Sequence, residues 1–442
     1  MLTPAFIQRR IAHRPNLAKI LDNIGWLFFD RIMRVGVGLL VGAWVARYLG
    51  PEQFGLLNYA TAFVALFGAI AALGLQGIVV RDLVTEPDEA HTTLGTAFVL
   101  QLVGGTTAVL TILATITWLR PEDPLTRTIV AIVGLSLLFR SSEVIKYWFE
   151  SQVASRNTVV VENSIFLAMA IVKVGMILKQ APLVAFVWVL LAEAMLVCVG
   201  LFAVYARREG IPHCWTFGSD RAKRLLNDSW PLILSGLAIM VYMKIDQLML
   251  KEIAGTEAVG LYSAALRISE AWYTIPTVVV ASLFPTIIDS KRKSDDLYHQ
   301  RMQKLLNLLV AIALLVAVAV TLGADRIVSL LYGPSYIASA PVLMIHVWAG
   351  VFTFIGVASS KWYLLENMTR SLFFRTLAGA VVNVLLNLAF IPWAGAKGAA
   401  IATVISFSVA ALFYDLATPQ TRPLFKMKMH ALSLRWIYAS SK

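Results

Sequence analysis

Twelve apolar runs dominate this chain, and short polar stretches separate them. A run of about 20 residues can cross a hydrocarbon core of about 30 Å as an α-helix. A helix also satisfies its own backbone hydrogen bonds, as a segment in lipid must. We therefore expect an all-α, polytopic membrane protein, with spans at roughly 22–48, 55–80, 93–118, 127–148, 157–179, 182–206, 229–251, 258–287, 303–323, 337–364, 370–391 and 396–417.

The composition supports this fold class and excludes some kinds of binding partner. The chain is 58% hydrophobic and 14% charged, whereas soluble domains are roughly 45–50% apolar and about 25% charged. The net charge of +12 would suit nucleic acid only if it lay on a soluble basic face, but the Lys and Arg residues lie in loops between spans. We therefore expect the lipid bilayer as a partner and no nucleic acid. Cys198 and Cys214 offer no metal-ligand spacing, so we expect no metal.

The distribution of Lys and Arg predicts the orientation. Cytoplasmic loops are enriched in these residues, and here the enriched segments are the two tails and the even-numbered connections. The basic amino terminus contains no compact apolar region or cleavage site of a signal peptide, so we expect it to be retained. Twelve spans with both termini in the cytoplasm fit this bias. The basic residues on that side include Arg9, Arg10, Arg14, Lys19, Arg207, Arg208, Arg221, Lys223, Arg224, Lys291, Arg292, Lys293, Arg301, Lys304, Arg422, Lys426, Lys428 and Arg435.

A repeated loop relates the two halves. The stretch YLGPEQFGLLNYA returns as IAGTEAVGLYSAA, so that Gly50 matches Gly255 and Gly55 matches Gly260. Six spans separate the copies, an even number, and the halves should therefore be parallel repeats of six helices around a central cavity. The predicted divisions are a cytoplasmic segment 1–21, an N-lobe 22–206, a basic linker 207–228, a C-lobe 229–418 and a basic tail 419–442. We expect the tail to be attracted to anionic headgroups.

The first span carries three charges, Asp30, Arg31 and Arg34. Each charge near the bilayer centre costs about 2.5–3.5 kcal/mol on insertion scales, so these residues should face a wet interior. Asp30 and Arg34 are four residues apart and can form an ion pair, whereas Arg31 and Arg34 can present two cations on one face. A permanent pair, or side chains that extend to the interface, is an equally acceptable explanation.

Further charges lie in other spans: Lys173, Glu193, Lys244, Asp246, Arg267 and Glu270. Intramembrane cations suit an anionic ligand, because guanidinium groups donate in pairs to phosphate oxygens. Buried acids suit H⁺ or Na⁺ coupling. The sequence contains no phosphate-binding loop of the G-x-x-x-x-G-K-[ST] type. Transport should therefore be driven by an ion gradient, the membrane potential or the substrate gradient, with no other cofactor.

Four stretches resemble the Wzx-type polysaccharide-unit flippases of the multidrug/oligosaccharidyl-lipid/polysaccharide exporter superfamily. They are ARYLGPEQFGLLNYATAFVALFGAIAALGLQGIVVRDL, SWPLILSGLAIMVYMKIDQLML, VGLYSAALRISEAWYTIPTVVVASLFPTI and LYGPSYIASAPVL. The resemblance covers about residues 20–418. It implies two lobes that rock about a central cavity. It also implies a substrate, a short oligosaccharide linked through pyrophosphate to undecaprenol, that crosses from the inner to the outer leaflet of a bacterial cytoplasmic membrane.

The resemblance also suggests roles for the intramembrane charges. Related flippases use cavity arginines on their first and eighth spans, which Arg31 or Arg34 and Arg267 match by span. The candidates for pyrophosphate binding are therefore Arg31, Arg34 and Arg267, followed by Lys173 and Lys244. The candidates for charge balance or ion coupling are Asp30, Asp246, Glu270 and Glu193. A polysaccharide polymerase and a chain-length regulator would be functional partners.

Two other functions remain open on the sequence alone. A cation-coupled multidrug exporter of the same superfamily should have a cavity dominated by acids, whereas arginines are at least as prominent here. An intramembrane polymerase or ligase should have a long extracytoplasmic loop with catalytic residues, and the predicted loops are short. The residues therefore favour a transporter over an enzyme, and a flippase over a drug exporter.

Overall fold

The computed structural model describes residues 15–210, 214–434 and 436, without side chains for 15–21 and 24. Arg9, Arg10, Arg14 and Arg435 lie outside the described residues. Short 3₁₀ turns at Pro87–Glu89, Ser136–Ser142, Pro334–Tyr336 and Phe413–Leu416 connect some of the helices. The helices are α1 (Pro15–Ala72), α2 (Gln76–Thr85), α3 (Ala90–Leu119), α4 (Pro124–Leu135), α5 (Glu143–Ser151), α6 (Arg156–Leu178), α7 (Leu183–Glu209), α8 (Ser219–Ala254), α9 (Thr256–Ala271), α10 (Thr274–Lys293), α11 (Asp295–Tyr332), α12 (Ser339–His346), α13 (Ala349–Leu365), α14 (Thr369–Ala411) and α15 (Arg422–Leu432).

The described residues form 10 helical segments that are long and apolar enough to span a membrane. Two of them, Gly25–Thr85 and Thr369–Leu416, contain 61 and 48 residues. At 1.5 Å per residue the first would be about 90 Å long, three times the thickness of a hydrocarbon core. Non-helical backbone interrupts both, at Gly50 in α1 and at Gly395 in α14. Each long segment therefore holds two spans, which accounts for the twelve predicted spans of an all-α membrane protein.

The chain divides into two compact units. The first contains residues up to Val45 and Ala60–Met240, and the second contains Ala46–Tyr59 and the chain from Val241 onward. The first unit thus includes the stretch 207–228 that the sequence predicts to be a linker. Arg221 attaches this stretch to the rest of the first unit. Its side chain is 3% exposed, and its Nη1 donates a 2.6 Å hydrogen bond to Glu86. Its Nε also donates to Thr93 Oγ1 at 2.9 Å.

The repeated loops pack against each other inside the second unit. Gly50 and Gly255 have the same backbone conformation, with φ 73° and ψ 170° at the first and φ 88° and ψ 174° at the second. This region of backbone space is essentially restricted to glycine. A Cβ atom on Gly55 would overlap the Thr256 backbone, and one on Gly260 would overlap the Pro51 backbone. The two glycines therefore allow the backbones of the two repeated loops to pack closely.

A buried apolar core holds the helices of the first unit around its polar residues. Leu75 just before α2, Val79 on α2, Leu94 on α3, Val144 on α5 and Leu201 on α7 are at most 1% exposed and belong to one cluster. Between membrane helices such side chains hold the helices together through van der Waals packing. This cluster therefore fixes α5 and α7, two of the helices that carry the charged side chains described below.

The carboxyl-terminal segment, predicted to be a basic tail at the membrane surface, contains the helix α15, which is part of the second unit. Lys428 on this helix is fully buried, and its Nζ donates hydrogen bonds to Asp415 Oδ2 at 2.6 Å and to the Ala411 carbonyl at 2.7 Å. The hydroxyl of Tyr363 donates a further hydrogen bond to Asp415 at 2.6 Å. A charge at this position of the tail is therefore used for folding and is not available to lipid headgroups.

Candidate functional site

A polar cavity of about 400 Å³ lies within the first unit. Its charged lining comes from five parts of the chain, which are α1, the 3₁₀ turn Ser136–Ser142, α5, α6 and α7. The lining residues are Arg34, Ser136, Phe139, Arg140, Ser142, Glu143, Lys146, Glu162, Lys173, Leu190, Glu193, Ala194, Val197 and Leu201. The cavity thus combines four basic and three acidic side chains with two serines and five apolar residues.

Arg34 links two helices at this cavity. Its Nε donates a 2.7 Å hydrogen bond to Asp30 Oδ1, one turn earlier on α1, as the four-residue spacing predicts. Its Nη2 donates a 3.2 Å hydrogen bond to Glu162 Oε2 on α6, and its guanidinium lies over the ring of Phe166 at 5.6 Å. Glu162 and Phe166 are also four residues apart, so one face of α6 holds both partners. The Arg34 side chain remains 34% exposed, so that a ligand could still reach it.

The other basic residues of the cavity are also paired with acids. Lys146 Nζ lies 3.0 Å from Glu162 Oε1, so that Glu162 joins two cations. Lys173 Nζ donates to Glu193 Oε2 at 3.0 Å across α6 and α7. Arg140 Nε donates to Glu143 Oε1 at 3.2 Å, and its Nη1 donates to the Gly68 carbonyl. The resting cavity is therefore close to electrically balanced, and an anion would have to take the place of carboxylates.

The sequence identified some of these residues and missed others. Arg34, Lys173 and Glu193 line the cavity, and Asp30 pairs with Arg34 at its edge. Arg31 is exposed and is not among the lining residues. The residues that sequence reasoning missed are Arg140, Glu143, Lys146 and Glu162. The three-residue spacing of Arg140 and Glu143, and the acidic residue in the apolar stretch VVVENSIFL, were the signals that could have identified them.

A second polar cluster is buried in the second unit around Asp246, which is 3% exposed. The Tyr262 hydroxyl and the Thr403 Oγ1 donate to Asp246 Oδ2 at 2.7 and 2.8 Å. Asn387 Nδ2 donates to Asp246 Oδ1 at 2.8 Å and to Asn383 Oδ1 at 2.9 Å. Three helices meet here, since Asp246 lies on α8, Tyr262 on α9 and the other residues on α14.

The side chains that hydrogen-bond the Asp246 carboxyl group, Tyr262, Thr403 and Asn387, are all neutral. Among the described residues, no Lys, Arg or His forms an ion pair with Asp246, and the Oδ1 atom of Asn387 is buried without a hydrogen-bond partner. A buried carboxylate without a counter-ion is costly unless it binds a cation or a proton. The oxygen atoms of Asp246, Thr403 and Asn387 are the ligand type that hard cations prefer. The cluster is therefore a candidate ion site.

The structure separates the remaining predicted residues of the second unit into different environments. Arg267 Nη2 donates to Asn58 Oδ1 at 3.2 Å, and its guanidinium lies over Phe54 at 4.9 Å, so it contacts the repeated loop. Lys244 and Glu270 are partly buried. None of these three side chains hydrogen-bonds Asp246 among the contacts described for it.

His346 is a buried polar residue that sequence reasoning missed. It is 1% exposed, and its Nδ1 lies 2.9 Å from the Ser269 hydroxyl, while its Nε2 has no hydrogen-bond partner in the described structure. Its ring meets that of Tyr262 edge-on, with centroids 5.8 Å apart. His346 thus extends the polar cluster of Asp246 through Tyr262. The only signal in the sequence was a single histidine in the apolar stretch APVLMIHVWAG.

Twelve apolar spans with paired charges around a cavity and a buried carboxylate cluster are features of a multi-pass membrane transporter. The chain belongs to the polysaccharide biosynthesis protein family, which matches residues 20–291. It is 24% identical over 436 residues to the protein named "Probable flippase AglR" of Haloferax volcanii, an alignment that covers 91% of this chain and 84% of that protein. It is also 25% identical to the protein named "Putative O-antigen transporter" of Escherichia coli (strain K12), over 70% of this chain and 74% of that protein. By its family and its fold the chain is thus a membrane transporter, and the relatives it matches are named as flippases and transporters.

Solved structures agree on the fold. The chain resembles an inward-facing multidrug resistance MATE family transporter with a TM-score of 0.70 and 16% identity, over 91% of this chain and 95% of that one. It resembles the lipid II flippase MurJ in an inward closed conformation with a TM-score of 0.70 and 13% identity, over 96% and 93% of the two chains. At these identities the likeness concerns the fold alone, which is the one predicted from the sequence.

Proposed function

We propose that the protein is a flippase for oligosaccharide repeat units linked through pyrophosphate to undecaprenol. It would move them from the inner to the outer leaflet of a bacterial cytoplasmic membrane, with both termini in the cytoplasm, to supply surface polysaccharide biosynthesis. Membership of the polysaccharide biosynthesis protein family and the flippase names of its relatives support this class. The observation that carries the proposal is the 400 Å³ cavity whose four cations are each paired with a carboxylate.

The cavity can accept an anion by exchange of partners. A pyrophosphate has several anionic oxygens that accept hydrogen bonds, as do the carboxylates of Glu162 and Glu193. The guanidinium group of an arginine has five N–H donors in a planar fork that can bind such oxygens. On binding, Arg34 and Lys173 would turn from these acids to the phosphate oxygens. Asp30, Glu162 and Glu193 would then balance the cations again once the substrate has left. Such an exchange leaves the cavity of the empty protein with little net charge. The protein can then change conformation within the membrane without exposing unpaired charges to lipid.

We further propose that the Asp246 cluster couples transport to H⁺ or Na⁺. A carboxylate that accepts three hydrogen bonds from neutral donors, next to the unpartnered Oδ1 of Asn387, can bind one monovalent cation or one proton. Occupation would neutralise the charge of Asp246 and change which arrangement of α8, α9 and α14 has the lowest free energy. A polymerase and a chain-length regulator would act on the units after transfer.

Arg34→Gln tests the substrate site, and Arg31→Gln on the same helix is the matched control. Loss of one charge-assisted interaction of about 1.5–3 kcal/mol should weaken binding of a pyrophosphate-linked glycan by roughly 10- to 100-fold. Arg31→Gln removes the same charge outside the cavity lining and should change binding less than threefold. The measurement is binding of an undecaprenyl-pyrophosphate glycan to the purified protein, followed by leaflet transfer in proteoliposomes. Equal losses in both variants would contradict the proposed site.

The same variants distinguish a multidrug exporter, whose substrates are commonly cations. Removal of Arg34 leaves Glu162 with fewer cationic partners and would strengthen the binding of a cationic drug. A flippase predicts the opposite pattern, with weaker binding of the phosphate-containing ligand and no measurable binding of the drug. Stronger drug transport in Arg34→Gln, together with unchanged glycan transfer, would favour the exporter.

A further inference from the structure

A second cavity, of about 640 Å³, lies in the first unit between the start of α6 and the end of α7. It shares no lining residue with the candidate substrate cavity, although both use these two helices. Its lining is three arginines, one asparagine, one glycine and four small apolar residues: Arg156, Asn157, Val160, Val161, Gly200, Ala203, Val204, Arg207 and Arg208. We name it the arginine groove.

The apolar floor of the groove follows from close packing of the two helices. A Cβ atom on Gly200 would lie 2.6 Å from Cγ1 of Val161, so glycine lets α7 approach α6. The side chains of Val160, Ala203 and Val204 complete the floor around this contact. An apolar floor between two membrane helices is suited to a hydrocarbon chain, because it offers no polar group that lipid would leave unsatisfied.

The arginines form the polar end of the groove. Arg207 and Arg208 lie in the last turn of α7, and Arg156 is the first residue of α6. The guanidinium of Arg156 lies over the ring of Trp26 at 5.1 Å. The backbone N–H of Ser155 donates a 2.8 Å hydrogen bond to Asn23 Oδ1, which fixes the turn before α6 to α1. The three cations thus lie at two helix ends, and contacts with α1 hold the end that carries Arg156.

The charge of the groove differs from that of the substrate cavity. No acidic residue lines it, and within the described structure none of its three arginines forms an ion pair. In the substrate cavity, by contrast, every cation has a carboxylate partner. Three uncompensated guanidinium groups above an apolar floor are complementary to an amphiphile with an anionic head.

We propose that the arginine groove binds an anionic phospholipid of the surrounding membrane. Its headgroup phosphate lies among Arg156, Arg207 and Arg208, and one acyl chain lies on Val160, Val161 and Val204. The lipid is a resident of the groove and not the transported cargo. The inference stands independently of the substrate proposed above, because it rests on other residues.

The test measures phosphatidylglycerol binding to the full-length protein by native mass spectrometry, with phosphatidylcholine as the neutral competitor. The variant Arg156→Gln/Arg207→Gln/Arg208→Gln removes the groove charges. The control Arg292→Gln/Lys293→Gln/Lys304→Gln removes three exposed charges elsewhere. The groove arginines are exposed, so both variants should fold, and thermal unfolding checks this. We expect the dissociation constant for phosphatidylglycerol to rise at least tenfold in the groove variant and less than twofold in the control.

Two further arms complete the experiment. Arg156→Lys/Arg207→Lys/Arg208→Lys retains the charge and should recover most of the binding, whereas Val204→Glu places a carboxylate in the floor and should abolish it. Equal losses in the groove and control variants, or equal affinities for the two phospholipids, would overturn the proposal. Displacement of phosphatidylglycerol by undecaprenyl pyrophosphate at a tenfold lower concentration would also overturn it, since the groove would then belong to the carrier lipid.

Discussion

Asp246→Asn removes the charge of the proposed ion site and should leave its shape intact. In the wild type, Asp246 accepts one hydrogen bond from Asn387 and two from the hydroxyls of Tyr262 and Thr403. An amide at position 246 has one oxygen to accept and one NH₂ to donate. The unpartnered Oδ1 of Asn387 can receive this new donor after an amide flip. The same flip turns Asn387 Nδ2 away from Asn383 Oδ1. The variant therefore keeps its hydrogen bonds to Tyr262, Thr403 and Asn387 and loses the one between the two asparagines.

The expected stability change follows from these contacts. Hydrogen bonds to a charged acceptor contribute about 1 kcal/mol more than neutral ones, so three of them account for a loss of about 3 kcal/mol. Relief from burying a carboxylate without a counter-ion offsets this by several kcal/mol. We expect the free energy of unfolding of Asp246→Asn to lie within about 2 kcal/mol of the wild type. Asp246→Ala leaves buried donors without their acceptor and should cost about 2–5 kcal/mol.

Coupling is measured in proteoliposomes with an imposed H⁺ or Na⁺ gradient. A tenfold gradient of one coupled monovalent ion corresponds to about 1.4 kcal/mol. The steady-state ratio of glycan-carrying lipid between the leaflets should therefore change about tenfold for the wild type. The ratio should not respond in Asp246→Asn, although transfer down the substrate gradient continues. A full response in the variant, or none in the wild type to either ion, would refute the role of Asp246.

Two other predictions concern the fold. Gly260→Val should destabilise the protein by about 1–3 kcal/mol, because its Cβ would overlap the Pro51 backbone. Gly36→Ala, with no atom within 4 Å of the added Cβ, should not destabilise it, and equal melting temperatures would contradict the packing of the repeat. Burial lowers the pKa of Lys428 to about 8, whereas an unfolded lysine titrates near 10.4. Between these pH values the unfolded chain holds the extra proton, so stability should rise with pH in this window. Asp415→Asn/Lys428→Met should show a smaller rise in melting temperature, and an identical rise would contradict the burial of the pair.

The sequence by itself determined the elements and their local relations. The thickness of the bilayer sets the length of an apolar run that can span it as a helix. The twelve spans could therefore be counted in the sequence, and they indicated an all-α fold. The pair of Asp30 and Arg34 followed from helical periodicity, because residues four apart share a face. The match of Gly50 with Gly255 identified the two loops as copies, and the structure gives both glycines the same backbone conformation.

Only the tertiary structure decided which faces meet. Glu162 contacts Arg34 from 128 residues away, and Asp246 receives hydrogen bonds from residues 141 and 157 positions later in the chain. Helical periodicity specifies the residues of a face but not the helix that covers it. The same limit applies to Lys428, which as a tail residue was expected at the lipid surface but is buried against Asp415. A charge in a membrane protein acquires its role from its partner, and the partner is a long-range contact.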